Sequence, residues 1–261
     1  MSDIGTIAIV VPSCDNYSDL WTPFFQCLHR FWPDCPYPIY LITNHKQSPD
    51  TGATTISIGD DLSWSDNLIT ALRQIPEPYV FVYIEDLFLV QKVNTVKAKT
   101  LFDWAIANKI NYLKTIRGHH NAGVSYNDWV CGIPRGSLYR ASLMMTLYKK
   151  EVLLNLLKHG ESAWDFEVHA TERSDSYDNF YQVKENYFSI INTIIKRKWQ
   201  RSATKLMRTL NISIDLSSRQ VMTYSEQLRY TMCVFRAALF GLFPVSVKRK
   251  LKKLLGGGKY K

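Results

Sequence analysis

The chain has 261 residues, of which 46% are hydrophobic and 13% aromatic, and its formal net charge is +9 at pH 7. This composition excludes a disordered chain and suits one α/β domain with an appendage, or two small domains. The five cysteines are scattered and odd in number. They contain no Cys-x-x-Cys pair, which argues against a zinc site and favours reduced thiols in a cytoplasmic protein.

The charge is distributed unevenly along the chain. Residues 196–261 contain 16 lysines and arginines against two acids, a net charge of +14, whereas residues 1–195 have a net charge of −5. A mildly acidic part followed by a strongly basic part indicates a polyanionic partner at one end, either a membrane surface or nucleic acid. We therefore divide the chain into a body, residues 1–215, and a basic tail, residues 216–261.

The first part of the body alternates between hydrophobic runs and amphipathic segments. The predicted strands are Ile7–Val11, 37–44, 54–59 and 79–84, and the predicted helices follow the first loop and cover 63–75 and 96–107. Strands that alternate with helices predict an α/β fold, with a mostly parallel sheet flanked by helices on both faces.

The rest of the body is less regular. A helix is predicted from Thr146 or Lys149 to Lys158, and another begins near Ser162, which is a candidate N-cap. A strand at 188–195 then leads to a basic segment and a further helix.

Two adjacent acids, Glu85 and Asp86, directly follow the predicted strand at 79–84. Burying an unpaired carboxylate is costly, so these acids need an explanation. In an open α/β sheet, ligands bind beyond the carboxyl ends of the strands. Acids at that place can hold a divalent cation that bridges nucleotide phosphates, or accept hydrogen bonds from ribose hydroxyls. The alternative is that the pair caps a turn or forms a salt bridge to a lysine.

Several segments in order resemble one family. They are "VVPSCDNY", "WSDNLITAL", "YVFVYIEDLFL", "LYRASLMMTLYKKEVLLNLL", "SAWDFE" and "IINTIIKRKW". Over about residues 5–210 the chain resembles bacterial GT-A-type nucleotide-sugar glycosyltransferases, which build surface polysaccharide such as O-antigen or capsule. The resemblance implies a GT-A-like (Rossmann-like) fold and the transfer of a sugar from a nucleotide donor, in the first instance a UDP-sugar.

The resemblance also implies how the donor is held. Glu85 and Asp86 match the Asp-x-Asp region, which holds the diphosphate, usually through Mn²⁺ or Mg²⁺, and Asp86 is the candidate metal ligand. Leu87 stands where a third-position acid would be, so metal dependence stays open. Lys196 and Lys198 could neutralise the diphosphate instead, unless they form a solvated patch.

Further donor-binding candidates follow from the same resemblance. They are Pro12, Ser13, Asp15 and Tyr17 in the first loop, and Trp64, Ser65 and Asn67 near the nucleobase of the donor. Tyr17 and Trp64 could stack on a uracil ring. Packing or helix capping is the alternative role for each of these residues.

Sugar transfer requires a base that removes the proton of the acceptor hydroxyl. The resemblance places an acid-bearing helix start beside the acceptor, which makes Asp165 the first candidate and Glu167 the second. Complementing the helix dipole is the alternative role for both acids. His119, His120 and Arg135 are candidates for contacts with phosphate or acceptor. A carboxylate base indicates an inverting displacement.

The tail has a basic amphipathic pattern. Apolar residues at helical spacing, among them Phe235 and Leu239, predict a helix before Pro244. The segment that follows has a second apolar stripe, which includes Leu251. It also has a cluster of five cations: Lys248, Arg249, Lys250, Lys252 and Lys253. Its apolar windows are far shorter than the about 20 residues of a membrane span. The tail is therefore predicted to lie on an anionic membrane surface and not to bind nucleic acid. A helix packed on the body is the alternative.

These patterns lead to one expectation and two alternatives. We expect a glycosyltransferase that is peripheral to the cytoplasmic face of a bacterial inner membrane and uses a nucleotide-sugar donor and a lipid-linked glycan acceptor. One alternative is a sugar nucleotidyltransferase, although the first loop, "VPSCDNYSD", lacks the glycines that such an enzyme would normally show. The other is a non-catalytic, membrane-associated scaffold on a degenerate transferase fold.

Overall fold

The computed structural model describes residues 6–118 and 123–241. The strands are β1 (Ile7–Pro12), β2 (Ile39–Thr43), β3 (Ala53–Ser57), β4 (Tyr79–Val82), β5 (Leu87–Leu89), β6 (Tyr112–Lys114), β7 (Val130–Gly132), β8 (Thr146–Lys149), β9 (Phe180–Val183), β10 (Ile190–Asn192), β11 (Ile194–Ile195) and β12 (Lys198–Trp199). The helices are α1 (Ser18–Phe31), α2 (Trp64–Leu72), α3 (Thr95–Ala107), α4 (Lys150–Leu156), α5 (Ala163–Arg173), α6 (Arg201–Thr209) and α7 (Tyr224–Gly241).

Eight strands form one central sheet in the order β3-β2-β1-β4-β8-β6-β9-β7. The pairs β1/β2, β1/β4, β2/β3 and β6/β9 are parallel, whereas β8 is antiparallel to β4 and β6, and β7 is antiparallel to β9. The prediction of an α/β fold with a mostly parallel sheet flanked by helices is confirmed.

Strand β1 shows why both faces of the sheet are covered. All six of its residues are buried, and alternate side chains enter opposite cores. Ile7, Ile9 and Val11 pack in the core that also contains α1 and α3. Ala8 and Val10 pack in the core that contains α2, α4 and α5.

The prediction that a helix begins at Thr146 or Lys149 is wrong at its start. Residues Thr146–Lys149 form β8, and α4 begins only at Lys150. Strand β8 pairs with β4 on one side and β6 on the other, and Thr146, Leu147 and Tyr148 are buried. These partners come from distant parts of the chain, so local spacing could not reveal the strand.

The carboxyl ends of several strands lie at one edge of the sheet. β1, β2 and β4 run in the same direction, and β4 and β6 are both antiparallel to β8. The loops after β1, β2, β4 and β6 therefore meet at this edge, which is where ligands bind in open α/β sheets. We call it the carboxyl edge.

The first residues of the predicted tail pack on the body. Trp199 is fully buried and pairs with residues 220–222, and Arg219 and Met222 are themselves buried. The division at residue 215 thus falls inside packed structure. Within the described residues, most of helix α7 is exposed, as are Leu216, Ser217 and Ser218 before it.

Candidate active site

Glu85 and Asp86 form a turn between β4 and β5 at the carboxyl edge. Glu85 is only 6% exposed, whereas Asp86 is half-buried. The carbonyl oxygen of Asp86 accepts hydrogen bonds from the backbone N–H and the hydroxyl of Thr193, at 2.8 and 2.9 Å. Leu87 begins β5 and is buried in the core, so an acid at this position would point away from solvent. The chain thus has room for two acids here, but not for a third at Leu87.

Burial sets the acidity of the two carboxyl groups. Removal from water, together with the adjacent Asp86 carboxylate, raises the pKa of Glu85 to about 8. Burial also raises the pKa of Asp86 to about 6. Within the described residues neither carboxylate forms a salt bridge, and Glu85 Oε2 has no hydrogen-bond partner. A salt bridge to a described lysine therefore does not account for the pair.

Arg219 brings a positive charge to the carboxyl edge. Its Nε lies 2.7 Å from Asp19 Oδ2, and its Nη2 lies 3.0 Å from Asp19 Oδ1 and 2.6 Å from the carbonyl oxygen of Asn16. The guanidinium is 4.3 Å from the centroid of the Tyr17 ring, and its charge lowers the pKa of both paired acids. No sequence pattern predicts Arg219 as a site residue, because its partners are about 200 residues away and its serine-rich surroundings carry no periodicity.

The donor candidates after β1 surround the same acids. Pro12 ends β1 and is buried. Ser13 lies beside Glu85, where it lowers that group's pKa, and its hydroxyl accepts a hydrogen bond from Trp21 Nε1 at 2.8 Å. The pKa of the Tyr17 phenol is raised by burial and then by the charge of Glu85. An aromatic ring therefore adjoins the carboxylates.

Asp15 connects two loops of the carboxyl edge, and its predicted contact with the donor stays a prediction. Its carboxylate accepts hydrogen bonds from the backbone N–H groups of Asn44, His45 and Lys46 at 3.0–3.3 Å. Asn44 Oδ1 in turn accepts one from the Asp15 N–H at 3.0 Å. Asp15 thus joins the loops after β1 and β2 and shapes the carboxyl edge.

Of the candidates on α2, Trp64 and Ser65 connect this helix to α5. The Trp64 ring packs against Phe166 with a centroid distance of 5.6 Å. Ser65 is fully buried, its N–H donates to the Glu161 carbonyl oxygen, and its hydroxyl accepts from the Glu161 N–H, both within 3.1 Å. Both residues therefore have packing roles in this structure.

Asn67 connects α2 to the loop after β3. Its Nδ2 donates to Asp61 Oδ1 at 2.5 Å, in the loop after β3. Burial raises the pKa of the Cys14 thiol, and Glu85 and Asp61 raise it further. Asp61 and Glu85 thus both lie near Cys14 in the first loop.

The two base candidates lie on α5. Asp165 completes a capping box, because its carboxylate accepts hydrogen bonds from the Ser162 N–H at 3.2 Å and the Ser162 hydroxyl at 2.7 Å. Glu167 Oε1 accepts a hydrogen bond from the Leu143 N–H, before β8, at 3.0 Å. Both acids therefore hold structure in place, and their catalytic roles stay predictions.

Two of the predicted cations, Lys198 and Arg135, have partners of their own. Lys198 Nζ forms a salt bridge of 2.7 Å with Glu226 and so ties the β11–β12 hairpin to α7. Lys196 is exposed at the hairpin turn and has a positive φ of 49°. Arg135 forms an exposed salt bridge of 2.8 Å with Asp178.

The apolar stripe of α7 faces solvent. Phe235 is 64% exposed and Leu239 47%, and Leu228 and Met232 are exposed as well. The described part of the apolar stripe is therefore not packed on the body. None of the described helices is both long and apolar enough to span a bilayer. The following predicted residues lie outside the described ones: His119, His120, Lys248, Arg249, Lys250, Leu251, Lys252 and Lys253.

The paired acids fit a divalent cation that arrives with a phosphate ligand. Among the described residues there is no group of three or more metal-binding side chains. Mg²⁺ bound with a nucleotide needs only one or two carboxylates, because phosphates and water complete its coordination. Asp86 and the unpartnered Oε2 of Glu85 match this need. A bound cation would keep both acids ionised.

Comparisons with known proteins agree with the fold. No protein-family model matches the chain, and the search of curated proteins finds no match. The structure is similar to UTP-bound UGPase from Acinetobacter baumannii, with 8% identity, a TM-score of 0.54, and coverage of 88% of this chain and 98% of that one. TarS 1–349 of S. aureus has 11% identity and a TM-score of 0.47 over 70% of this chain. The complex of TarS 1–349 with UDP-GlcNAc has 12% identity and a TM-score of 0.44 over 80% of this chain.

The chain spans 59% of the length of that TarS fragment. The UGPase similarity extends over nearly the whole of both chains and shares the α/β architecture described above. The fold class is therefore α/β of the GT-A-like, Rossmann type.

Proposed function

We propose that the protein is a glycosyltransferase that moves a sugar from a nucleotide donor, a UDP-sugar, to an acceptor hydroxyl. The observation that carries the proposal is the pair of buried Glu85 and half-buried Asp86, which stands at the carboxyl edge without a salt bridge among the described residues. Tyr17 and Arg219 beside it supply an aromatic ring and a positive charge. Such a pair suits the ribose hydroxyls and metal-bound phosphates of a nucleotide.

The proposed chemistry is a single displacement. As Asp165, or Glu167 in its place, takes the proton of the acceptor hydroxyl, the acceptor oxygen bonds to the anomeric carbon. The bond from that carbon to the diphosphate oxygen breaks, and the nucleoside diphosphate leaves. This route inverts the anomeric configuration. A bound cation would stabilise the charge on the departing diphosphate.

A sugar nucleotidyltransferase is the second candidate, and one observation favours it. The UGPase similarity has a TM-score of 0.54 and covers nearly all of both chains. Against it, the loop after β1 has no glycine, and the Asp15 carboxylate already binds three of the neighbouring loop's N–H groups. We therefore place it second.

The test is to offer the wild-type protein both kinds of substrate. We expect UDP, UDP-glucose and UDP-N-acetylglucosamine at about 100 times their dissociation constants to stabilise the fold by about 2.7 kcal/mol. Differential scanning fluorimetry with and without Mn²⁺ measures this and also reports metal dependence. Formation of a UDP-sugar and pyrophosphate from UTP and a sugar 1-phosphate would overturn the glycosyltransferase in favour of the second candidate. Binding of no nucleotide would overturn both.

For the setting, we propose peripheral binding to the cytoplasmic face of a bacterial inner membrane. There the acceptor would be a lipid-linked glycan in surface polysaccharide synthesis, such as that of O-antigen or capsule. The exposed stripe on α7 supports this, together with the five cations that the sequence clusters between Lys248 and Lys253. A non-catalytic membrane scaffold is the alternative, and it predicts no sugar transfer.

Replacing the five tail cations by glutamine should release the protein from anionic vesicles. Each cation near such a surface contributes about 1 kcal/mol, so the loss should exceed about 100-fold. The double variant Phe235→Ser, Leu239→Ser should weaken binding several-fold, since both side chains face solvent. Cosedimentation with vesicles of 30% phosphatidylglycerol measures both effects. Leu62→Ser, at a position 80% exposed on the body, is the matched control. Unchanged binding of both tail variants would contradict the proposal.

A further inference from the structure

A second polar cluster lies at the carboxyl edge, at the end of β6. Lys114 pairs in register with Gln182 of β9 and Thr146 of β8. Gln182 is 1% exposed, and its Oε1 has no hydrogen-bond partner in the part of the chain that the structure describes. We name Lys114, Gln182 and Glu167 the β6 cluster. A buried acceptor without a partner is costly, and it requires an explanation.

Two polar groups of the cluster, those of Lys114 and Gln182, lie close to one small space beside Gly118. A β-carbon at Gly118 would lie 2.9 Å from Gln182 Oε1 and 3.6 Å from Lys114 Nζ, so the two groups approach the same point, which glycine leaves open. Gln182 Nε2 donates a hydrogen bond to Cys131 Sγ at 3.7 Å, so the amide nitrogen already has a partner and the amide oxygen does not. Burial lowers the pKa of Lys114, while the nearby Glu167 carboxylate raises it.

The chemistry of the cluster selects the kind of ligand. An ammonium group only donates hydrogen bonds, whereas an amide oxygen and a carboxylate only accept them. A ligand that satisfies Lys114 and Gln182 together must therefore both accept and donate. Alcohol hydroxyls do both, whereas a fully ionised phosphate only accepts, and the Glu167 carboxylate would repel it.

We infer that the β6 cluster binds the hydroxyl groups of a sugar ring. The inference deepens the proposed function and rests on it for the source of the sugar. Strand β8 alone separates β4 from β6, so β6 lies about 10 Å from β4 across the sheet, and Lys114 is level with Val82, three residues before Glu85. This spacing lets one nucleotide-sugar place its nucleotide at Glu85 and Asp86 and its sugar at Lys114.

The experiment uses Lys114→Met and Gln182→Met in the full chain. With calorimetry, Lys114→Met should weaken binding of UDP-glucose or UDP-N-acetylglucosamine by about 10- to 100-fold, the range of a lost charge-assisted hydrogen bond. Binding of UDP should not change. Free glucose and N-acetylglucosamine, followed by saturation-transfer NMR, should also lose contact with both variants. Lys99→Met, at an exposed salt bridge on α3, is the matched control.

Melting temperature separates binding from a merely structural role. Burial disfavours the charged form of the half-buried Lys114, so replacing its ammonium by methionine should leave the melting temperature unchanged or higher. A lower melting temperature with undiminished sugar binding would overturn the inference in favour of a structural charge. Equal weakening of UDP and UDP-sugar would overturn it in favour of phosphate binding. If the variants lose binding of free sugars but keep binding of UDP-sugars, the cluster binds the acceptor sugar, which upholds the inference.

Failure of the inference and failure of the proposed function remain distinguishable. If the wild type and Lys114→Met bind UDP-sugars and free sugars equally well, the inference fails while the proposed function stands. If the wild type binds free sugar through Lys114 but binds no nucleotide, the proposed function fails while the cluster stands as a sugar site. If the wild type binds neither sugars nor UDP-sugars, both fail.

Discussion

The double variant Glu85→Gln, Asp86→Asn should bind UDP-sugars at least about 100-fold more weakly than the wild type. Each carboxylate is replaced by an amide of the same shape, which accepts hydrogen bonds without charge and is a poor ligand for Mn²⁺ or Mg²⁺. Losing two charge-assisted contacts at about 1.5–3 kcal/mol each gives this magnitude. Calorimetry at pH 7.5 with Mn²⁺, and again with chelator, measures the change and separates metal-mediated from direct binding.

A loss of fold cannot explain this result if the melting temperature is preserved. Both acids have pKa values raised by burial, so neutral replacements should not destabilise the protein at pH 7.5. Asp103→Asn, in an exposed pair with Lys99, is the matched control and should bind like the wild type. UDP-sugar binding by the double variant at wild-type strength would remove the basis of the proposed function.

Glu85→Gln alone should raise stability at alkaline pH and have little effect in acid. The Glu85 pKa is about 8 in the folded chain and 4.5 as its ordinary value, so the folded state holds the proton more tightly. That advantage is complete below pH 4.5 and is lost as the pH rises to 8, since ionising the buried group costs about 1.4 kcal/mol per pKa unit. Glutamine never ionises. The difference in free energy of unfolding between the variant and the wild type should therefore grow to a few kcal/mol by pH 8.5, which corresponds to a melting temperature about 5–10 °C higher for the variant.

Thermal melts between pH 5 and 9 measure that difference. The control is Glu161→Gln, for which the opposite trend is expected. Glu161 accepts hydrogen bonds from Arg173, which help to lower its pKa, so its ionised form stabilises the fold at neutral pH and less so in acid. A pH-independent difference between Glu85→Gln and the wild type would show that Glu85 titrates normally and is open to water.

Local patterns predicted the elements that carry their own signal. The unbroken apolar runs of β1 and β4 were read correctly as buried strands, because a strand covered on both faces must be apolar throughout. The helix predicted at 96–107 is α3, Thr95–Ala107. Strand β8 was missed because its mixed sequence becomes a strand only when β4 and β6 offer it their backbone groups.

The site residues also fall into those with a local sequence signal and those without one. Glu85 and Asp86 were found because two charges inside an apolar run are a local anomaly. Asp15, Ser65 and Lys198 were also noticed, but the structure gives each a partner within the chain that no local spacing encodes. Arg219 was missed because its contact with Asp19 joins segments 200 residues apart.

Local sequence suffices to predict the alternation of strands and helices, the two acids after β4, and the basic character of the tail. Each of these depends on neighbours in the chain, through periodicity, burial cost or summed charge. The strand order, the place of Arg219 beside the acids, and the proximity of Lys114 to Gln182 and Glu167 arise from the folded arrangement alone. Those features depend on distances across the folded chain, and a distance between remote residues is set by packing, not by order.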